Sequence, residues 1–202
     1  MKRRTLDVVF SIGGLLLAAL LLVLGLVLQN QANFAKNYVH DQLSAQKITF
    51  TPADKLTDEE KSATCIVTYA GQPLTTGTQA ECYANNYIAV HLAEVNGGKT
   101  YSETSNDQRA AAAAAKADPT NAQLATAATK LDGQVQTLFR GETLRGLLLT
   151  SYGFSIFGER AQQAAWVCFA AALVLFLATI AGFIHAFTTP KDKEVLVAHT
   201  AD

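Results

Sequence analysis

Trp166–Phe187, WVCFAAALVLFLATIAGFIHAF, decides the fold. It holds no charged residue apart from the titratable His185. As a helix, its roughly 22 residues at 1.5 Å each reach about 33 Å, the thickness of a bilayer core. A second stretch of the same kind lies at the other end: Val8–Leu28, VVFSIGGLLLAALLLVLGLVL. Soluble helices rarely run this long without a charge. The pair therefore predicts two transmembrane helices, 8–28 and 164–187, with the middle of the chain on one side of the membrane and both ends on the other.

The chain has 202 residues, half of them hydrophobic, and a formal net charge of −1. These averages hide a segregation, because the apolar residues crowd the two ends and the charges the middle. The intervening segment, 29–163, holds roughly 135 residues, enough for one small domain. No basic run or basic–aromatic interleaving points to nucleic acid.

Lys2, Arg3 and Arg4 precede the first span, and Lys191 and Lys193 follow the second. The positive-inside rule places residues 1–7 and the tail 188–202 in the cytoplasm, and the domain outside the plasma membrane. The tail is short and polar, and is expected to be disordered. Phe34, Tyr38, Trp166, Phe183 and Phe187 are candidates for the headgroup level, Trp166 foremost. The first apolar run exceeds a signal-peptide core, and no A-x-A pattern follows it, so it reads as an uncleaved anchor.

Of three cysteines, Cys168 lies inside the second span and reads as apolar filler. Cys65 and Cys82 fall in the domain, and an oxidising compartment makes a disulfide between them the natural outcome. No second cysteine pair or histidine pair completes a zinc site.

Gln29–Gln46 keeps a helical stripe, Ala35, Val39 and Leu43, which predicts that the first helix continues past the membrane. Ile48–Phe50 reads as a short extended piece. Thr57 to Glu60 reads as a capping box opening a brief helix. Cys65–Tyr69 is β-branched and aromatic and reads as a strand or extended segment closed by Gly71-Gln72-Pro73. A strong helix follows, capped by Thr76 or Thr78 and ended by Gly97-Gly98, with Ala80, Tyr83, Ala84, Tyr87, Ile88, His91 and Leu92 on one face. Residues 108–135 are alanine-rich and broken by Asp118-Pro119. They read as a helical hairpin with little to bury, disorder being the competing reading. Residues 138–157 place Leu144, Leu147, Leu148 and Tyr152 on one face. That segment is either an amphipathic helix on the outer leaflet or part of the domain core. Gly153 and Gly158 then permit a turn before the last helix, which is expected to begin near Glu159. The expected class is all-α, two transmembrane helices flanking a small extracytoplasmic domain with one disulfide.

His40, His91, His185 and His199 are scattered, and no H-x-x-x-H, paired carboxylates, G-x-S-x-G, phosphate loop or Rossmann fingerprint accompanies them. No catalytic, cofactor-binding or metal-ligating residue is singled out, and the expectation is a non-enzyme without cofactors. Within the spans, Gly14 and Ala18, and Ala178 and Gly182, form small-xxx-small pairs that let helices approach closely in lipid. With no acid or base near the bilayer centre, the spans are ill suited to ion transport. Anchoring and assembly is the simple reading. The rival is a receptor, which would need a separate cytoplasmic partner.

The runs QAECYANNYIAVHLAEVNGGKTYSE (Gln79–Glu103) and LFRGETLRGLLLTSYGF (Leu138–Phe154) resemble those of small two-span actinobacterial membrane proteins, some of which carry a misleading label as aromatic-ring-opening dioxygenases. Such an iron enzyme wants two histidines and a carboxylate converging. His40 and His91 are the only outer-side candidates, and their spacing does not recommend them. The architecture is also similar to cofactor-free accessory subunits of the actinobacterial respiratory supercomplex that joins cytochrome bcc to cytochrome aa3 oxidase. That resemblance implies an assembly role among integral membrane subunits and lipid. The contact residues expected to carry it are Gly14, Ala18, Ala178 and Gly182 in the spans, and Leu144, Leu147, Leu148 and Tyr152 at the outer surface.

Overall fold

A computed structural model of the chain describes residues 2–190. Lys191, Lys193, His199 and the rest of the expected tail after Pro190 lie outside the described residues. Seven α-helices are present among these: α1 (Arg3–Ala45), α2 (Asp58–Ser62), α3 (Thr64–Tyr69), α4 (Gly77–Tyr83), α5 (Ala89–Ala93), α6 (Tyr101–Ala117) and α7 (Ala122–Thr188). A π-helical turn, Ala84–Ile88, joins α4 to α5. Single 3₁₀ turns sit at Ala53–Lys55 and Val95–Gly98. The described chain is all-helical, with one isolated antiparallel bridge, Thr49 with Pro73. It divides into two compact units: one comprises the chain up to Ala35 and from Phe157 onward, the other Lys36–Ile156.

The first unit is an antiparallel pair formed by α1 up to Ala35 and α7 from Phe157. Both helices are long and apolar enough to cross a membrane. Their buried positions recur every seven residues. On α1 these are Ser11, Ala18, Gly25 and Ala32; on α7 they are Ala165, Ala172, Thr179 and Ala186. A seven-residue repeat keeps one seam of each helix facing the other when the pair supercoils left-handedly, and small side chains there bring the backbones close. The large side chains point away, Phe10 being 75% and Val167 69% exposed.

The second unit is built around a disulfide. Cys65 in α3 and Cys82 in α4 are bonded, with Cα atoms 6.1 Å apart. Cys65–Tyr69 is helical, not the strand its β-branched residues predict. Intrinsic β preference is worth less than what fixes this turn: Ile66 buried in the core, the bridge to α4, and Thr68 Oγ1 donating to the Thr64 carbonyl at 2.8 Å. The extended piece at Ile48–Phe50 is present. Phe50 N donates to Gln72 O at 3.0 Å and Leu74 N to Ile48 O at 2.9 Å. Those bonds pin Phe50 and Leu74 in the core beside Val39 and Leu43 of α1.

Caps follow the sequence closely. Thr57 with Glu60, Thr76 with Gln79, and Thr100 with Glu103 each form a reciprocal capping box at the starts of α2, α4 and α6. Thr76 therefore takes the cap that Thr78 also offered. After α5 the chain leaves the helix through Asn96 (φ 50°) and Gly97 (φ 67°). Asn96 tolerates this left-handed geometry because its side chain donates to Thr104 Oγ1 at 3.2 Å. The alanine-rich region is a helical hairpin. Its turn is closed by Thr120 Oγ1 donating to Asp118, and by Asn121 Oδ1 accepting from Gln123 N.

α7 departs most from expectation. Gly153 and Gly158 do not open a turn; the helix runs unbroken from Ala122 to Thr188. A glycine inside a helix costs only about 1 kcal/mol relative to alanine, too little to break a helix held on both sides by leucine, isoleucine and phenylalanine. In the second unit α7 is the surface on which the short helices sit. A Cβ on Gly141 would lie 2.5 Å from Leu92 Cδ2, and one on Gly77 would meet the Ser155 side chain. Tyr38 of α1 meets Phe154 edge-on at 5.7 Å.

Candidate functional site

Two regions hold the polar and close-contact chemistry, one in each unit. In the helix pair, contacts across the seam run in register from end to end. Asp7 Oδ2 pairs with His185 Nδ1 at 2.9 Å. A Cβ on Gly182 would meet Ser11 Oγ, one on Gly14 would lie 2.8 Å from Thr179 Oγ1, and one on Gly25 would lie 2.5 Å from Phe169 Cε1. Farther along, Gln29 and Gln162 exchange reciprocal amide bonds, Nε2 to Oε1, at 2.8 and 2.5 Å. The Asp7–His185 and Gln29–Gln162 pairs are separated by about 33–35 Å along each helix at 1.5 Å per residue. That interval contains no Asp, Glu, Lys or Arg on either helix.

Of the residues singled out in the spans, Gly14, Ala18 and Gly182 lie on this seam, whereas Ala178 is exposed and its neighbour Thr179 occupies the buried position. Small residues spaced by four do not reveal the seven-residue repeat, and no local pattern in the sequence marks Asp7 as the partner of His185.

The amide pair at Gln29 and Gln162 gives a direct test of what holds the pair together. Gln29→Leu alone strands one amide, while Gln29→Leu with Gln162→Leu strands none. The single change is expected to weaken the pair by about 1 kcal/mol and the double change by less than twice that, as read by a double-mutant cycle in mixed-micelle unfolding.

In the second unit the four leucine-face residues separate. Leu148 is 2% exposed and belongs to the core, Tyr152 is half-buried, and Leu144 and Leu147 are exposed, Leu147 at 62%. Leu148 is thus a packing residue and not an outer-surface contact. α7 buries one side against the short helices and leaves the other open. The core reading therefore holds for Leu148, while Leu144 and Leu147 stay exposed on the other side of the helix.

Ionisable side chains gather where the π-helical turn meets α2. The turn and its neighbours align Tyr83, Tyr87 and His91 in one column. The two phenol rings stack at 4.6 Å, and the Tyr87 ring meets the His91 ring edge-on at 4.5 Å. Phe50 closes the column edge-on to Tyr83 at 5.2 Å. His91 Nε2 then reaches Glu60 Oε1 at 3.3 Å. Glu60 is buried, and its Oε2 accepts from Thr57 N at 2.7 Å. Sequence patterning put His91 on the helix face; the carboxylate it pairs with is 31 residues away and reaches it only through the fold.

Electrostatics here follow from burial and bonding. Removal from water pushes the Tyr83 phenol up to about 12, with Tyr87 and Glu60 adding to it. The Thr57 backbone amide, more than His91, holds the Glu60 carboxyl below its ordinary 4.5. A carboxyl whose folded value is depressed stabilises the fold above the unfolded value and loses that contribution as pH falls through the folded one. Stability is therefore expected to fall with acid below about pH 4.5. Glu60→Gln, which keeps an acceptor for Thr57, flattens that slope in circular-dichroism melts taken between about pH 3 and pH 6.

Among the described residues no group of three or more His, Cys, Asp or Glu is arranged to hold a metal ion. His40 and His91 have separate partners, Asp41 for the first and Glu60 for the second. The region is a satisfied polar cluster that ties α2 to α5. No family model, curated protein or solved structure matches this chain.

Proposed function

We propose that this chain is a two-span membrane protein whose disulfide-linked unit lies outside the plasma membrane, both termini being cytoplasmic, and that it serves as a non-catalytic assembly subunit of a larger membrane complex. One observation carries the membrane part: only 17% and 11% of the most apolar windows of α1 and α7 are buried. The core helix of a soluble protein would bury most of such a window. Here the leucines, valines and phenylalanines face outward over an interval as long as a bilayer is thick, bracketed by polar pairs. The disulfide supports placing the second unit in an oxidising compartment.

Assembly is supported by what the exposed surfaces offer. The interval between the polar pairs has no Asp, Glu, Lys or Arg to line a conduction path. What remains is apolar surface in the spans and the open face of α7 around Leu144 and Leu147, suited to neighbouring helices and lipid. The resemblance to accessory subunits makes a cytochrome bcc–aa3 respiratory assembly the first partner to test.

Extraction in a gentle detergent, pull-down and mass spectrometry test the role. Co-purifying integral subunits, cytochromes among them, are the expected result. A lone cytoplasmic kinase or sigma-factor regulator would instead establish the receptor reading. Stoichiometric iron in the purified chain would contradict a non-catalytic role.

A further inference from the structure

We propose that the end of the helix pair where α1 begins and α7 finishes binds the phosphate of an anionic phospholipid headgroup. The inference rests on the membrane-spanning reading above. Lys2, Arg3 and Arg4 open the chain there. The acid closest to them in sequence, Asp7, is already engaged by His185 at 2.9 Å. Among the described residues no carboxylate pairs with Lys2, Arg3 or Arg4.

Arg4 is also held in place. Its guanidinium carbon lies 5.8 Å from the centroid of the Phe187 ring, across the pair on α7. Beside the ring, the guanidinium keeps a planar fork of N–H donors of the kind that grips a phosphate bidentately. The Phe187 ring is 72% exposed and offers an apolar shelf beside that edge. Anchored cation and exposed ring together match a ligand that is charged at one end and oily at the other.

The amides of Thr5 and Leu6 donate to the Lys2 carbonyl at 3.1 and 3.4 Å. The charged side chains are the part of the site that substitution removes while leaving the helix backbone in place. A lipid is the fitting source because these cations sit one turn beyond the Asp7–His185 pair that closes the uncharged interval, at the depth of headgroups.

The test is native mass spectrometry of the full chain in detergent, offered equal phosphatidylglycerol and phosphatidylcholine of identical acyl chains. Wild type should retain phosphatidylglycerol preferentially. At about fivefold per surface cation, Arg3→Gln with Arg4→Gln should cut that preference by about 25-fold. Arg4→Lys keeps the charge but not the planar fork of donors and should lie between them. Equal retention of the two lipids by wild type, or an unchanged preference in the double variant, overturns the proposal. So does displacement of the bound lipid by inorganic phosphate, which would make this a free-anion site. Alkaline extraction of membranes separates the two readings. A chain that washes out has failed the spanning reading, whereas a chain that stays but shows no lipid preference fails this proposal alone.

Discussion

Replacing Cys65 and Cys82 with serine is expected to destabilise the second unit by about 3 kcal/mol, the chain-entropy value for a closed loop of this length. Cys65 and Cys82 are separated by 17 residues, and the loop between them contains α3, the Gly71 turn and the start of α4. Without the bridge this stretch has little else to hold it: α3 is six residues long and made of poor helix formers. Cys82 is 1% exposed, so a serine there also buries a hydroxyl in an apolar core. For a unit of this size the loss lowers the melting midpoint by roughly 10 °C or more. Thermal melts of wild type with and without reductant, beside the double variant, give the comparison. A midpoint shift under about 3 °C in both would show that core packing alone secures the unit.

The second large effect is expected in the helix pair. Ala18→Leu adds three carbons at a seam position that is 5% exposed. The partner helix cannot recede locally, because Gly14 against Thr179 and Gly25 against Phe169 fix its approach on either side. Overpacking of this kind costs about 1–3 kcal/mol. In lipid no hydrophobic driving force between helices offsets it. Oxidative crosslinking of Asp7→Cys with His185→Cys, in a Cys168→Ala background, reports whether the pair is closed. Wild-type packing should crosslink readily, and Ala18→Leu should reduce the crosslinked fraction severalfold. Leucine at the outward-facing Ala178 serves as the control and should leave it unchanged.

Much of this fold is legible in the residues, where the signal is local. The capping box at Thr57 is written in four consecutive residues, and the same pattern at Thr100 forms a second box beyond the expected one. The stripe at Ala35, Val39 and Leu43 announces that α1 continues beyond its apolar run, and all three are buried. The Cys65–Cys82 bond joins the two cysteines that lie outside the apolar runs. Long-range pairing is what local patterns do not carry. Nothing near His91 names Glu60, and nothing near Gln29 names Gln162. The π-helical turn that aligns Tyr83, Tyr87 and His91 has no propensity signature. Two readings failed because they weighed propensity above context. The β-branched residues of α3 are held helical by a covalent bond and a buried Ile66, and the glycines of α7 are carried through by their apolar neighbours. The seven-residue repeat of small residues was present in the sequence throughout. A search for four-residue motifs finds Gly14 and Gly182 but not Ser11, Gly25 or Ala32.

The proposed topology has the helix pair crossing lipid with the disulfide-linked unit on the outer side. Thr120, exposed at the tip of the alanine-rich hairpin, is the place to ask. With Thr120→Cys in a Cys168→Ala background, the native cysteines are tied up in the disulfide, and a membrane-impermeant maleimide reports one thiol. Labelling in intact cells at the level reached after lysis is the predicted result. Labelling that appears only once cells are broken would contradict it.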